Sequence, residues 1–176
     1  IDFPDSLTII GSSAFSCCSS LGSIEIPDNV VEIGIDAFSD CKAVSSIVIG
    51  SGLRRICVSY EHRYFAFSGC ASSLETIVVD EDNPVYHSKN NCLIETESNT
   101  LLLGCKNALI PDDGSVTTIG DGSFYCCKGL EEIVVPNAVT TIGRKAFANC
   151  SNLANIQIPD TILRIGSEAF ANTEWL

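Results

Sequence analysis

The sequence predicts an α/β solenoid in which units of about 23 residues stack on one another, each adding one short parallel strand. Three features predict it, because a strand-like run, an Ile-Gly pair and a phenylalanine all recur at nearly constant spacing. Each unit is too short to bury its apolar side alone, so stacking is needed to form one continuous core. We expect a right-handed solenoid with the strands on the concave face and short helical turns on the convex face.

The strand-like run alternates between inward and outward residues and then stops. In the first full copy, Ile24 and Ile26 face one way, Ser23 and Glu25 face the other, and Pro27 follows. The run recurs at steps of 23, 23, 30, 31, 25 and 23 residues, which gives seven strand positions starting at Ile1, Ile24, Ile47, Ile77, Ala108, Ile133 and Ile156. We expect one solenoid over residues 1–176, interrupted by an insertion at 57–66 and by a long variant unit with a hairpin at 80–111.

The Ile-Gly pair follows the strand in five units and predicts either a bend with positive φ or a close approach of two backbones. The third full unit has Ile56-Cys57 instead, so its geometry should differ there. The pairs are Ile10-Gly11, Ile33-Gly34, Ile119-Gly120, Ile142-Gly143 and Ile165-Gly166.

A phenylalanine and a cysteine three residues after it form two further columns. Regular spacing predicts that the rings stack as one spine and that the thiols point into the core as small structural residues. The phenylalanines are Phe15, Phe38, Phe67, Phe124, Phe147 and Phe170, and the cysteines are Cys18, Cys41, Cys70, Cys127 and Cys150.

Two other groups of cysteines need a separate interpretation. Cys17 stands where other units carry Asp40, Gly69 or Asn149, so it should lie nearer the surface than Cys18. Cys92 and Cys105 flank the predicted hairpin. A two-residue turn at 98–99 would place them opposite each other, where a disulfide could form, but a turn one residue longer would offset them.

The composition argues against several classes of partner and chemistry. A net charge of −12 and a pI near 4.3 disfavour nucleic acid and anionic membranes, and no apolar run approaches the roughly 20 residues of a membrane span. His62 and His87 lie in the two longer units and share no motif with any cysteine. We therefore predict no catalytic residues, no metal site and no cofactor. The chain begins at Ile1 and contains no methionine, so we expect it to be part of a longer protein.

The outward positions of the strands predict a candidate binding surface, because exposed strand residues of repeat scaffolds form an extended concave surface. This outer column carries four consecutive apolar residues, which either mark a partner surface or only reflect the strand preference of such residues. The insertion adds Tyr60, Arg63 and Tyr64, types that are common at binding hot spots. The outer column is Asp2, Glu25, Val48, Val78, Leu109, Val134 and Gln157.

The repeated motif resembles the BspA-like leucine-rich repeats of bacterial and protozoan surface proteins. Two stretches, 21–41 and 130–150, match the pattern L-x-x-I-x-I-P-x-x-V-x-x-I-G-x-x-A-F-x-x-C throughout or nearly so. The resemblance implies a leucine-rich-repeat solenoid that is secreted or held at a cell surface, is monomeric, and acts in recognition or adhesion. Its ligand would be a protein or a glycan of host matrix or of another cell. The alternative is a structural spacer within a larger surface protein, and an enzyme is the least favoured reading.

Overall fold

The computed structural model describes residues 1–58 and 65–174 of the chain. Within these residues, fourteen short strands and one short 3-10 helix, Cys70–Ser72, are joined by turns. The strands are β1 (Ile9–Ile10), β2 (Ser23–Ile26), β3 (Glu32–Ile33), β4 (Ser46–Ile49), β5 (Arg55–Ile56), β6 (Thr76–Val79), β7 (Tyr86–Lys89), β8 (Cys92–Glu95), β9 (Thr100–Gly104), β10 (Thr118–Ile119), β11 (Glu132–Val134), β12 (Thr141–Ile142), β13 (Asn155–Gln157) and β14 (Arg164–Ile165).

The predicted solenoid of parallel strands is confirmed. β2, β4 and β6 pair in parallel, as do β11 and β13, and equivalent residues of successive units face each other. Ile24, Ile47 and Ile77 form one buried row in this register, whereas Glu25, Val48 and Val78 form the neighbouring exposed row. The alternation read from the sequence therefore separates core from surface along each strand.

Strands form at five of the seven predicted positions. Residues 1–4 and 108–111 belong to no strand. In the second case the reason is local, because the Leu109 amide donates to the Asn90 carbonyl of the hairpin at 3.1 Å rather than to β6. β6 and β11, the strands that precede and follow Leu109 in the outer column, thus belong to two separate sheets.

The Ile-Gly pairs build a second parallel sheet that the sequence analysis did not predict. Its short strands stack as β1-β3-β5 and, beyond the hairpin, as β9-β10-β12-β14. Glycine follows these strands because the backbones of successive units come very close. A Cβ built on Gly34 would lie 2.4 Å from the Ser12 amide nitrogen, and one on Gly143 would lie 2.6 Å from the Asp121 amide nitrogen. Close approach, not a positive φ, is the role of these two glycines.

The segments around the phenylalanines are tight turns, and the segment around Phe67 continues into the one short helix of the described residues, Cys70–Ser72. Five of the six segments place two residues, four apart, in the left-handed region, as Ser13 (φ 56) and Cys17 (φ 60) show, whereas the described residues around Phe67 place only Gly69 there. Alternate amides then bond to the next unit, as in Phe15 N to Ala37 O at 2.7 Å and Cys17 N to Ser39 O at 2.8 Å. The position of Cys17 has positive φ in every unit, occupied by Cys17, Asp40, Gly69, Cys126, Asn149 and Asn172.

The phenylalanine rings stack as predicted, in two blocks. Ring centroids are 5.2 Å apart for Phe15 and Phe38 and 5.4 Å apart for Phe38 and Phe67, with interplanar angles of 7° and 4°. The second block contains Phe124, Phe147 and Phe170, at spacings of 5.0 and 5.4 Å. Gly104 lies against the Phe124 ring, and a Cβ there would come within 2.1 Å of it.

The two blocks also meet through hydrogen bonds that skip the long unit. The Ser72 hydroxyl donates to the Cys126 carbonyl oxygen at 3.1 Å, across 54 residues of sequence. The Cys127 thiol donates to the Ala71 carbonyl oxygen at 3.4 Å, across 56 residues. The long unit therefore does not separate its neighbours at this corner of the solenoid.

The long unit contains an antiparallel hairpin whose register differs from the one needed for a disulfide. β8 and β9 are joined by the four residues 96–99, with Glu95 opposite Thr100. A bulge between Leu93 and Ile94 then shifts the pairing, so that Cys92 lies opposite Gly104. Cys105 is therefore offset by one residue from the position opposite Cys92 that a two-residue turn would give it, and both cysteines are buried free thiols. The turn that forms is two residues longer than the two-residue turn that would align the cysteines, and the bulge reduces this offset to one residue.

Candidate binding surface

The outer column presents four large apolar side chains to solvent. Val48, Val78, Leu109 and Val134, called here the apolar strip, are 39%, 50%, 70% and 56% exposed. Their neighbours on either side along the chain, such as Ile47 and Ile49, are buried at 0%. The exposure follows from the period of two, which turns every second residue outward. No insertion covers the strip among the described residues.

Polar side chains border the apolar strip along one side and at its two ends. The neighbouring outward positions Thr76, Asn107, Glu132 and Asn155 are exposed, and Glu25 and Gln157 continue the column at its two ends. An apolar strip bordered by polar residues is the pattern typical of interaction surfaces on soluble proteins.

The strip crosses the junction between the two sheets. On one side, the Val79 amide donates to the Ser88 hydroxyl oxygen at 2.9 Å, and on the other, Leu109 bonds to Asn90. The hairpin therefore wedges between the β6 strand and the Leu109 segment. Leu109, the most exposed member of the strip, is held by this wedge and not by a regular strand pair.

Carboxylates line a cleft at the first end of the strip. The cleft has a volume of about 540 Å³ and is lined by Val48 and Val78. Its acidic lining residues are Asp2, Asp5, Glu25, Asp28 and Asp80. Glu25 was predicted from the sequence, whereas the aspartates at the corners were not. They could have been found, since an acid often follows the outer-column residue by two or three residues.

The three predicted binding residues of the insertion, Tyr60, Arg63 and Tyr64, lie outside the described residues. The adjoining Phe65 is 4% exposed and packs against Phe67 with ring centroids 5.7 Å apart. Phe65 is therefore part of the core.

The cysteines form a structural column and are not gathered into a reactive site. Cys41, Cys70, Cys127 and Cys150 are 0% exposed, and Cys17 is exposed. Burial raises the pKa of Cys150 to about 12 and that of Cys92 to about 12, so both stay protonated at neutral pH. His87 has its Nδ1 atom 2.9 Å from the Thr96 hydroxyl oxygen, and partial burial lowers its pKa. Among the described residues, no cluster of His, Cys, Asp and Glu is arranged to hold a metal ion.

Lysines from other parts of the chain reach two acids near the strip. Lys106 Nζ lies 2.6 Å from Glu75 Oε1, and this pairing raises the pKa of Lys106. Lys89 pairs with Asp113, and its ammonium together with bonds from Ser115 holds the pKa of that carboxyl well below its usual range. Elsewhere, Arg55 bonds Glu32 at 2.5 Å and lowers the pKa of that carboxyl.

No helix in the described part of the chain has the length and apolar character needed to cross a membrane.

Stacked short parallel strands with an exposed outer column define the class, a leucine-rich-repeat solenoid. The family model of the BspA type leucine rich repeat region matches residues 1–113 and 104–176, in six copies. The chain therefore belongs to the BspA-type leucine-rich repeat family.

Solved structures of bacterial repeat proteins share this fold at low sequence identity. The pneumococcal vaccine antigen PcpA has a TM-score of 0.69 and 17% identity over 97% of this chain and 53% of that one. A leucine rich cell surface protein from Faecalibacterium prausnitzii A2-165 has a TM-score of 0.51 and 20% identity over 97% of this chain and 76% of that one. A leucine-rich repeat protein from Bacteroides ovatus ATCC 8483 has a TM-score of 0.50 and 24% identity over 99% of this chain and 40% of that one.

The chain spans about half the length of the pneumococcal antigen, and at these identities the likeness shows the fold alone. A search of curated proteins gives no match.

Proposed function

We propose that this chain is a cell-surface or secreted recognition module that binds a protein ligand through the apolar strip. The observation that carries the proposal is the exposure of Val48, Val78, Leu109 and Val134 along one line of the solenoid. A partner that covers this apolar area removes it from water, and the free energy of binding becomes more favourable by roughly 25 cal/mol per Å² of area covered. Family membership and the cell-surface description of the F. prausnitzii relative support the location.

A protein ligand is favoured over a glycan by the aliphatic character of the strip. Valine and leucine side chains offer apolar contact area but no hydrogen-bonding groups for sugar hydroxyls. The polar residues beside the strip would supply the rim of the interface, where hydrogen bonds are common. Tyr60, Arg63 and Tyr64 of the insertion are proposed as further contacts on the strength of their residue types.

Binding to a panel of purified extracellular matrix proteins tests the proposal. Replacement of Val78 and Leu109 by lysine should abolish capture of the bound protein, because it removes apolar contact area and places two charges in the interface. Val31→Lys is the matched control, since Val31 is 43% exposed but lies outside the strip. All variants should keep the thermal unfolding midpoint of the parent chain within a few degrees.

Capture that survives both lysine substitutions would contradict the use of the strip. If the chain captures none of the proteins, and substitutions in the strip leave its thermal unfolding midpoint unchanged, the recognition module is replaced by the alternative of a structural spacer in a larger surface protein.

A further inference from the structure

Charge is distributed unevenly between the strand side of the solenoid and the rest of the chain. The strands of the outer column and the corners after them comprise residues 1–7, 22–30, 45–53, 75–83, 106–114, 131–139 and 154–162. These segments hold 13 of the 22 acids and only one of the ten lysines and arginines, Lys106, which is paired with Glu75. The acids are Asp2, Asp5, Glu25, Asp28, Glu75, Asp80, Glu81, Asp82, Asp112, Asp113, Glu131, Glu132 and Asp160.

Clefts along the outer column show the same bias in three dimensions. The cleft of about 540 Å³ combines Val48 and Val78 with five carboxylates. A second cleft, of about 480 Å³, lies beside Val134 and includes Asp112. A third, of about 450 Å³, is lined by Glu131, Glu132 and Glu174 together with two asparagines and an alanine. The described lining residues of all three include no lysine or arginine.

The acids lie close enough to the apolar strip to act on the same ligand. Asp80 follows Val78 by two residues along the chain, which corresponds to about 7 Å in extended backbone. Asp28 stands one position further along the corner of an earlier unit, and its carboxylate accepts bonds from the Ser51 amide and hydroxyl. The ends of lysine and arginine side chains reach this distance from a peptide that lies on the valines.

We propose that the occupant of the apolar strip is a basic and partly apolar segment of a protein partner. This inference rests on the proposed function and names the chemistry of its ligand. Apolar residues of the segment would cover Val48, Val78 and Leu109, and its lysines or arginines would meet Asp28 and Asp80. A neutral or acidic ligand on the same surface would take these carboxylates out of water without a partner, which costs binding energy. Complementary charge also speeds association and rejects other partners.

The same charges argue against three other occupants. Nucleic acid, anionic lipid and sulfated glycan all bring negative charge to a surface that already carries a strong excess of it. A neutral glycan would donate hydrogen bonds to the carboxylates but would gain little from the aliphatic side chains of the strip. The basic protein segment is the occupant for which both the strip and the acids provide binding energy.

Fluorescence anisotropy with three synthetic peptides tests the inference. Their sequences alternate valine with lysine, valine with threonine, and valine with glutamate. We expect the lysine peptide to bind about tenfold or more tightly than the threonine peptide in about 50 mM NaCl, and this advantage to shrink in about 300 mM NaCl as screening increases.

Two matched variants locate the charge effect on the strip. Asp28→Asn with Asp80→Asn removes two charges but keeps an oxygen that can accept the same backbone bonds, and it should weaken the lysine peptide about fivefold. Glu97→Gln, at the exposed tip of the hairpin, should leave affinity unchanged. Leu109→Ser should weaken all peptides that bind to the strip.

The outcomes separate this inference from the proposed function. Equal binding of the three peptides, with loss of binding in Leu109→Ser, would overturn the basic ligand and leave the strip as a binding surface. Binding that is indifferent to Leu109→Ser, or no binding by any peptide, would overturn both.

Discussion

The Cys70 thiol lies 3.0 Å from the carbonyl oxygen of Phe38, one unit earlier in the stack, and donates a hydrogen bond to it. The same relationship joins Cys41 to Phe15 at 3.0 Å and Cys150 to Phe124 at 3.1 Å. The column cysteines therefore link neighbouring units through a weak bond to a backbone oxygen in addition to filling space.

Replacement of Cys70 by alanine should lower the free energy of unfolding by about 1–2 kcal/mol, because it removes the bond and leaves a small void in a buried column. Urea unfolding measures the change. Cys17→Ala provides the comparison at an exposed thiol, and we expect it to stay within about 0.5 kcal/mol of the parent. Equal losses in the two variants would show that the bond and the burial of Cys70 contribute nothing.

The buried thiols should make the fold sensitive to alkali. Burial raises the pKa of Cys92 and of Cys150 from about 9 to about 12. Above pH 9 the unfolded chain loses these protons while the folded chain keeps them, so unfolding becomes easier. Stability is fully present below pH 9 and falls as pH rises toward 12, by at most about 1.4 kcal/mol per pH unit for each thiol.

Urea midpoints between pH 8 and pH 11 measure this effect. Cys150→Ala should be less stable than the parent at pH 8 but should show a shallower loss above pH 9. Cys17→Ala should keep the slope of the parent, and an unchanged slope in Cys150→Ala would contradict the assignment.

The close approach of successive units at the Ile-Gly pairs predicts that alanine will destabilise the chain at Gly143 but will be tolerated at Gly11. Gly143→Ala places a Cβ 2.6 Å from the Asp121 amide nitrogen, so two units must move apart at a cost of roughly 1–3 kcal/mol. Gly11 belongs to the first unit, and a Cβ there meets nothing within 4 Å. Gly11→Ala should therefore be neutral or slightly stabilising in thermal unfolding. A similar loss at both positions would show that glycine has some other role in the pair.

The left-handed position that precedes each column cysteine predicts a stabilising substitution. Cys126 has φ 61, while Asn149 and Asn172 occupy the same position in the next two units, where the Asn172 Nδ2 atom donates to Asn149 Oδ1 at 2.8 Å. Cys126→Asn should stabilise the chain by about 0.5–1 kcal/mol, since asparagine tolerates this backbone better.

Cys126→Val is the opposing variant and should destabilise the chain by about 1 kcal/mol or more, because a β-branched side chain is strained at positive φ. Thermal unfolding compares the two. If valine and asparagine were equally tolerated, the turn geometry at this position would be different from the one described.

The repeat made the strands, the phenylalanine stack and the core cysteines predictable, because each column is an average over several copies of one local environment. Residues that occur in one copy only were not predictable in this way. The bulge at Leu93 and the hydrogen bond from Leu109 to Asn90 depend on how the long unit fits between its neighbours. Periodicity carries no information about that fit.

The second sheet was missed for a different reason. Its strands are two residues long, too short for an alternating pattern to show, and the glycine beside them suggested a bend. The left-handed positions, by contrast, could have been found. Aspartate, glycine and asparagine recur at the place of Cys17, and these are the residues that adopt positive φ most readily.

The contact between Ser72 and Cys126 has a consequence for how the chain folds. Hydrogen bonds between ordinary neighbours in the stack join residues about 23 apart, as for Ser16 and Ser39, whereas this contact joins residues 54 apart. Each block of stacked units can therefore form by short loop closures, but joining the blocks requires a longer closure, at an added entropic cost of about 0.8 kcal/mol. We therefore expect the contacts at the seam between the blocks to form after the contacts within each block.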